Sequence, residues 1–248
     1  MEQIEINVKS TLDNTLQPSL FYESKSEKKR PLLVGLHTWS FNRYNQIDNM
    51  LPFAEKNDFN LLLPDFRGAN VKGNPEGQKA CGSEFACQDV MDAIEYVIEN
   101  YNVDSENVFL LGASGGGMMA LLLAGKHPKS FKAVGAFVPV CNLVEWQKHG
   151  YGEHIKACCG TEEEMFRRSP MNYIDGIATS NTKIFHGKHD PFVPLEQSEK
   201  LYRAIVEKYP QSRVYLDIFD GCHEMDMVLA SHWILKQYQK KQNIKVTN

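Results

Sequence analysis

Cysteine is scarce in this chain: six residues in 248, none of them in a Cys-x-x-Cys pair. That is too few for a disulfide scaffold. The adjacent Cys158-Cys159 also lacks the spacing of a zinc site, so no metal is expected. Positive charge is not in excess. Lys and Arg number 27 against 31 Asp and Glu, for a net charge of −4. Nucleic-acid binding rests on a basic footprint, so nucleic acid is not an expected partner. No apolar run approaches the ~20 residues that cross a bilayer, which argues against a membrane protein. The opening residues, MEQIEIN, carry neither the basic nor the apolar region of a secretory signal. There is no internal repeat and no low-complexity tract. The expectation from these absences is a cytoplasmic protein with reduced thiols. What is present is ordinary globular material, 42% hydrophobic and 23% charged. The length suits one domain of the larger sort, residues 1–248, with apolar residues enough for a core.

The apolar pattern gives the fold class. Residues 2–8 (EQIEINV) alternate polar and apolar, as an edge strand does, and 19–22 offer a partner for a hairpin. From residue 31 onward the runs become continuous: 32–36, 61–63, 108–111, 133–138 and 183–185, with 214–219 more alternating. Continuous runs fit strands buried on both faces of a parallel sheet. Helical patterns over 85–101, 118–126, 195–209 and 225–238 lie between or after them. Strand and helix in alternation predict an α/β fold with a mostly parallel central sheet flanked by helices, preceded by an antiparallel hairpin. Residues 141–180 break the rhythm and are expected to form a small cap over the carboxyl edge of the sheet.

The strongest chemical signal is Gly112-Ala113-Ser114-Gly115-Gly116, a G-x-S-x-G between a strand pattern and a helix pattern. Small residues at 112 and 116 permit a tight turn that thrusts Ser114 out beside a helix N-terminus, where free N–H groups favour negative charge. A serine needs a base, and the base needs an orienting acid. Of the eight histidines, His223 stands on a short loop between the last strand and the last helix. His186 and His189 are weaker candidates, and His232 falls inside a helix. Asp190 sits on the loop after the preceding strand, stiffened by Pro191 and Pro194, with Asp217 and Asp220 as competitors. An oxyanion would be held by the Gly115 N–H and by a second N–H from the loop after the strand at 32–36, from Trp39 first or Thr38 second. His37, Phe41, Trp146, Tyr151 and Phe192 are candidate substrate-binding residues; Trp39, Phe41, Trp146 and Tyr151 read equally as an apolar or sugar-stacking wall and as packing of the cap.

Together these motifs resemble the α/β-hydrolase superfamily and, more narrowly, the catalytic domain of the prolyl oligopeptidase family of serine hydrolases. Pro64-Asp65-Phe66-Arg67-Gly68 is similar to that family's segment after the second parallel strand. Ser169-Pro170, His186-Gly187, Asp190, Val193-Pro194, Gln197-Ser198 and Gly221-Cys222-His223 match its late pattern. The resemblance runs from about residue 31 to the C-terminus. It implies an α/β-hydrolase fold, a Ser114–Asp190–His223 triad and no cofactor. Two departures favour an esterase over a peptidase. Only about thirty residues precede the core, too few for the family's propeller, and the loop His37-Thr38-Trp39 lacks the tyrosine of the family's peptidases. The expected substrate is a small-molecule ester, small or carbohydrate-linked, with a short peptide as the alternative. A non-catalytic binding protein on the same scaffold is the alternative of another class.

Overall fold

The computed structural model describes residues 1–239. Eight strands form one sheet in the order β1-β2-β4-β3-β5-β6-β7-β8. They are β1 (Gln3–Lys9), β2 (Leu16–Tyr22), β3 (Arg30–Leu36), β4 (Asn60–Pro64), β5 (Val103–Ala113), β6 (Ala133–Phe137), β7 (Asn181–Gly187) and β8 (Arg213–Phe219). β1 and β2 pair antiparallel, and β2 joins β4 antiparallel, so the N-terminal hairpin extends the main sheet. All pairings from β4 to β8 are parallel. This is the expected mostly parallel sheet.

The parallel strands read as continuous apolar runs because both faces are covered. Side chains alternate across a strand. Leu32, Val34 and Leu36 of β3, with Val108 and Leu110 of β5, face α2 (Glu84–Asn100) and α3 (Gly115–Lys126). Leu33, Phe109 and Leu111 face the opposite layer, where α1 (Ile47–Asn57) supplies Met50 and Phe53 and α9 (Met227–Gln239) supplies Trp233 and Ile234. α2 begins at Ser83, whose hydroxyl accepts from the Ala86 N–H, and α3 is buried along nearly its whole length.

Between β6 and β7 the chain makes α4 (Leu143–Trp146), a wide turn at Gln147–Tyr151, α5 (Gly152–Cys159), α6 (Glu162–Arg167), a tight turn at Pro170–Tyr173 and α7 (Ile174–Thr179). α8 (Glu196–Lys208) then connects β7 to β8. Helix α1 was not anticipated. It carries Pro52 in its interior, a residue that removes one helical hydrogen bond and reads as a breaker. Among the described residues no helix is long and apolar enough to cross a membrane.

Candidate active site

The loops after β3, β5, β7 and β8 leave the sheet at its carboxyl edge, where open α/β sheets place their ligands. At the end of β5, Ser114 has φ +55 and ψ −118, a conformation that an L-residue holds only under strain. Its neighbours explain why that strain persists. A Cβ on Gly112 would lie 2.3 Å from the Gly116 carbonyl oxygen, and a Cβ on Gly116 would lie 2.5 Å from the Leu36 oxygen. Only glycine lets β5, α3 and the loop after β3 meet this closely. The Ser114 N–H donates to Phe137 O at 2.9 Å, and its carbonyl accepts from the Met118 N–H, so the turn is bonded on both sides.

Asp190 and His223 come together from the loops after β7 and β8. His223 Nδ1 donates to Asp190 Oδ2 at 2.7 Å. Asp190 Oδ1 accepts the N–H groups of Phe192 at 2.8 Å and Val193 at 3.0 Å. The carboxylate is fully buried. Burial pushes its pKa up, but the His223 imidazole and the two backbone donors outweigh that and hold it below the usual carboxylate range. With the proton on Nδ1, the Nε2 of His223 is left as an acceptor, and His223 lines the same cavity as Ser114. Among the described residues no hydrogen bond joins Ser114 to His223. Such bonds are often long until a substrate is bound.

The competing residues are otherwise engaged. His186 is fully buried, with Nδ1 on Ser198 Oγ at 2.7 Å and Nε2 on Val193 O at 3.0 Å, and burial lowers its pKa. It also stands 3.5 Å from Asp190 Oδ2, as packing beneath the acid. His189 pairs with Asp220 at the surface, and Asp217 pairs with Lys183. His232 is exposed on α9. Cys222, beside His223 in sequence, is exposed.

The loop after β3 lies against the elbow. A Cβ on Gly115 would stand 2.9 Å from both the Trp39 nitrogen and its Cα. The Trp39 carbonyl accepts from Asn70 N–H at 2.8 Å. The Thr38 N–H is taken by Asn45 Oδ1 at 2.9 Å. Among the described residues the N–H groups of Trp39 and Gly115 have no partner.

A cavity of about 440 Å³ opens over these groups, within the usual range for small-ligand sites. Phe41, Tyr151, Phe192 and Met225 give it an apolar side, and Asn45, Gln46 and Asn49 a polar one. Two expected substrate contacts do not reach it. His37 is 2% exposed and stacks on Phe66, its ring nitrogens on Thr38 O and Asp65 O. Trp146 is 1% exposed, donates to Phe192 O at 2.9 Å and packs edge-on against Trp39. The chain turns at Gly150, with φ +93, so that Tyr151 stacks on Trp146 and takes the cavity side. Sequence reasoning missed Asn45, Gln46, Asn49, Val138, Glu224 and Met225. They come from three separate segments, and no local pattern joins them.

The family model described as "Prolyl oligopeptidase family" matches residues 45–242. The chain belongs to the prolyl oligopeptidase family. It has the α/β-hydrolase fold. It is 27% identical over 216 residues to acylamino-acid-releasing enzyme 1 of Oryza sativa, a match covering 79% of this chain and 28% of that protein. The chain thus spans less than a third of the length of the first curated relatives that it matches. Among solved structures, a Mycobacterium tuberculosis puromycin-hydrolyzing peptidase superposes with a TM-score of 0.79 at 15% identity, covering 94% of this chain and 38% of that one. The Pyrococcus furiosus esterase Pf2001 superposes at 0.70 with 19% identity, covering 95% and 90%.

Proposed function

We propose that this family member cleaves carboxylic esters through an acyl-enzyme formed on Ser114. Ser114 Oγ attacks the ester carbonyl, and His223 Nε2 takes its proton and returns it to the leaving alkoxide. A water, activated by the same nitrogen, then releases the acid. Asp190 fixes the His223 tautomer and stabilises the imidazolium. The N–H groups of Gly115 and Trp39 receive the oxyanion, and Thr38, whose N–H is occupied, serves as the loop's anchor. The single observation that carries this reading is the convergence of the strained Ser114 and the Asp190–His223 pair on one cavity.

The ester preference is supported by the cavity. Phe41, Tyr151 and Phe192 offer flat apolar faces for a small acyl chain or a sugar ring, and Glu224 is the one carboxylate side chain lining the cavity among the described residues. Residues 141–180 act as the small cap, with Tyr151 as its contact to substrate. No metal or organic cofactor enters these steps. The second reading, cleavage of short peptides by the same residues, is favoured by the names of the acylamino-acid-releasing relatives. Turnover of an aryl acetate beside an aminoacyl anilide separates the two. The ester reading expects the higher kcat/KM on the acetate, and preferential hydrolysis of the anilide would overturn it.

A further inference from the structure

The peptide that presents the Trp39 N–H is held from one residue upstream. Thr38 N–H donates to Asn45 Oδ1 at 2.9 Å. The same oxygen accepts Gln46 Nε2 at 3.1 Å, and the Gln46 side chain in turn accepts Asn49 Nδ2 at 3.0 Å. A backbone N–H can only donate, so the Asn45 atom that faces it is the oxygen, and the direction of the whole amide chain follows. The acceptor is firmly mounted. Asn45 N–H donates to Asn42 O at 3.0 Å, and α1, which starts two residues later, is anchored in the core by Met50, Phe53 and Ala54. Gln46, the middle of the chain, is 3% exposed.

We infer that Asn45 is a positioning residue for the oxyanion site, an inference that rests on Ser114 being the nucleophile. Two successive N–H groups, of Thr38 and Trp39, lie on the loop beside the elbow. Asn45 captures the first, which fixes the peptide plane between residues 37 and 38 and leaves the second for the substrate oxygen. Oxyanion donors act by being oriented before the charge develops. Without the Asn45 acceptor the Thr38 N–H must find another partner, and the loop that carries Trp39 turns with it.

The test uses the full chain and two variants. Asn45→Leu removes the acceptor at similar volume, and Asn45→Asp keeps an acceptor in place. The readouts are kcat and KM on an aryl acetate, together with the inhibition constant of a trifluoromethyl ketone. That probe forms a hemiketal oxyanion on a serine and so reports the site directly. Asn45→Leu is expected to lower kcat by ~10- to 100-fold, leave KM within about threefold, and weaken the ketone by a similar factor to kcat. Asn45→Asp is expected to stay within about tenfold of wild type. An unchanged kcat in Asn45→Leu, a rise confined to KM, or a kcat loss with undiminished ketone affinity each overturns the inference. If Asn45→Leu does not fold, Asn45→Asp decides alone, and a loss beyond about tenfold overturns it. Failure of the underlying reading looks different: a Ser114→Ala variant that keeps full activity, or a wild type that the ketone does not inhibit.

Discussion

Replacing Asp190 by asparagine puts the proposed chemistry under the sharpest strain, because the change is nearly isosteric and its effect is set by hydrogen-bond direction. Asp190 Oδ1 accepts two backbone N–H groups, from Phe192 and Val193, and Oδ2 accepts the His223 Nδ1 proton. An asparagine must point its single oxygen at the two backbone donors, since neither can be turned away. Its NH2 group then faces His223 Nδ1. A donor there forces Nδ1 to be the acceptor and moves the ring proton to Nε2, where it blocks the uptake of the Ser114 proton. The expected loss in kcat is on the order of 10⁴-fold, the size seen when this tautomer is lost in serine proteases, or about 5.4 kcal/mol of barrier. Stability should change little, because the two loop hydrogen bonds survive. Asp190→Ala should lose a similar rate and also destabilise the fold, by up to ~1–3 kcal/mol for the part-buried Val193 donor left without a partner, while the exposed Phe192 N–H can turn to water. Steady-state kinetics on an aryl acetate, with thermal unfolding of both variants, checks the pair. An Asp190→Asn enzyme within tenfold of wild type would refute the role given to this carboxylate.

Two further predictions follow from the same geometry. Gly115→Ala places a methyl carbon 2.9 Å from the Trp39 nitrogen, so the loop must retreat. A ~10- to 100-fold fall in kcat with fluorophosphonate labelling still detectable is expected, as for a lost oxyanion donor, and a wild-type kcat would contradict the placement of that donor. The buried His186 and His37 both have pKa values lowered by burial from the usual ~6.5. Below that value the unfolded chain binds protons that the folded state refuses, so stability falls as pH drops from about 7 toward 5. The urea midpoint should follow that fall, and His186→Gln should flatten it; equal slopes for both proteins would show that His186 does not contribute.

Much of this was legible in the sequence, for identifiable reasons. Each buried parallel strand showed itself as an unbroken apolar run, because covering both faces removes the polar half of the usual alternation. Ser114 was legible because the elbow tolerates only glycine at 112 and 116. The pairing of His223 with Asp190 was legible because the two residues stand on loops at the carboxyl ends of successive strands, while the competing residues, His189 and Asp220, pair with each other at the surface. The cavity wall was legible only in part: Phe41, Tyr151 and Phe192 line it as expected, whereas His37 and Trp146 do not. Whether Trp146 or Tyr151 lines the cavity depends on the backbone reversal at Gly150, and no composition or period encodes that. His37 looked like a substrate contact from its place in the oxyanion loop, yet its ring stacks on Phe66 and is enclosed by two carbonyls. Helix α1, and with it the amide chain of Asn45 and Gln46 before the helix and Asn49 in its first turn, was hidden by Pro52, whose lost hydrogen bond falls on the carbonyl of exposed Asp48, where water can replace it.

The central claim is that Ser114, activated by His223, is the nucleophile. Treating the wild type, Ser114→Ala and His223→Ala with a fluorophosphonate probe tests it most directly. The expected result is a labelled wild type, no label on Ser114→Ala and a strongly reduced rate for His223→Ala. A folded wild type that takes no label, or a Ser114→Ala protein that labels as wild type does, would contradict it.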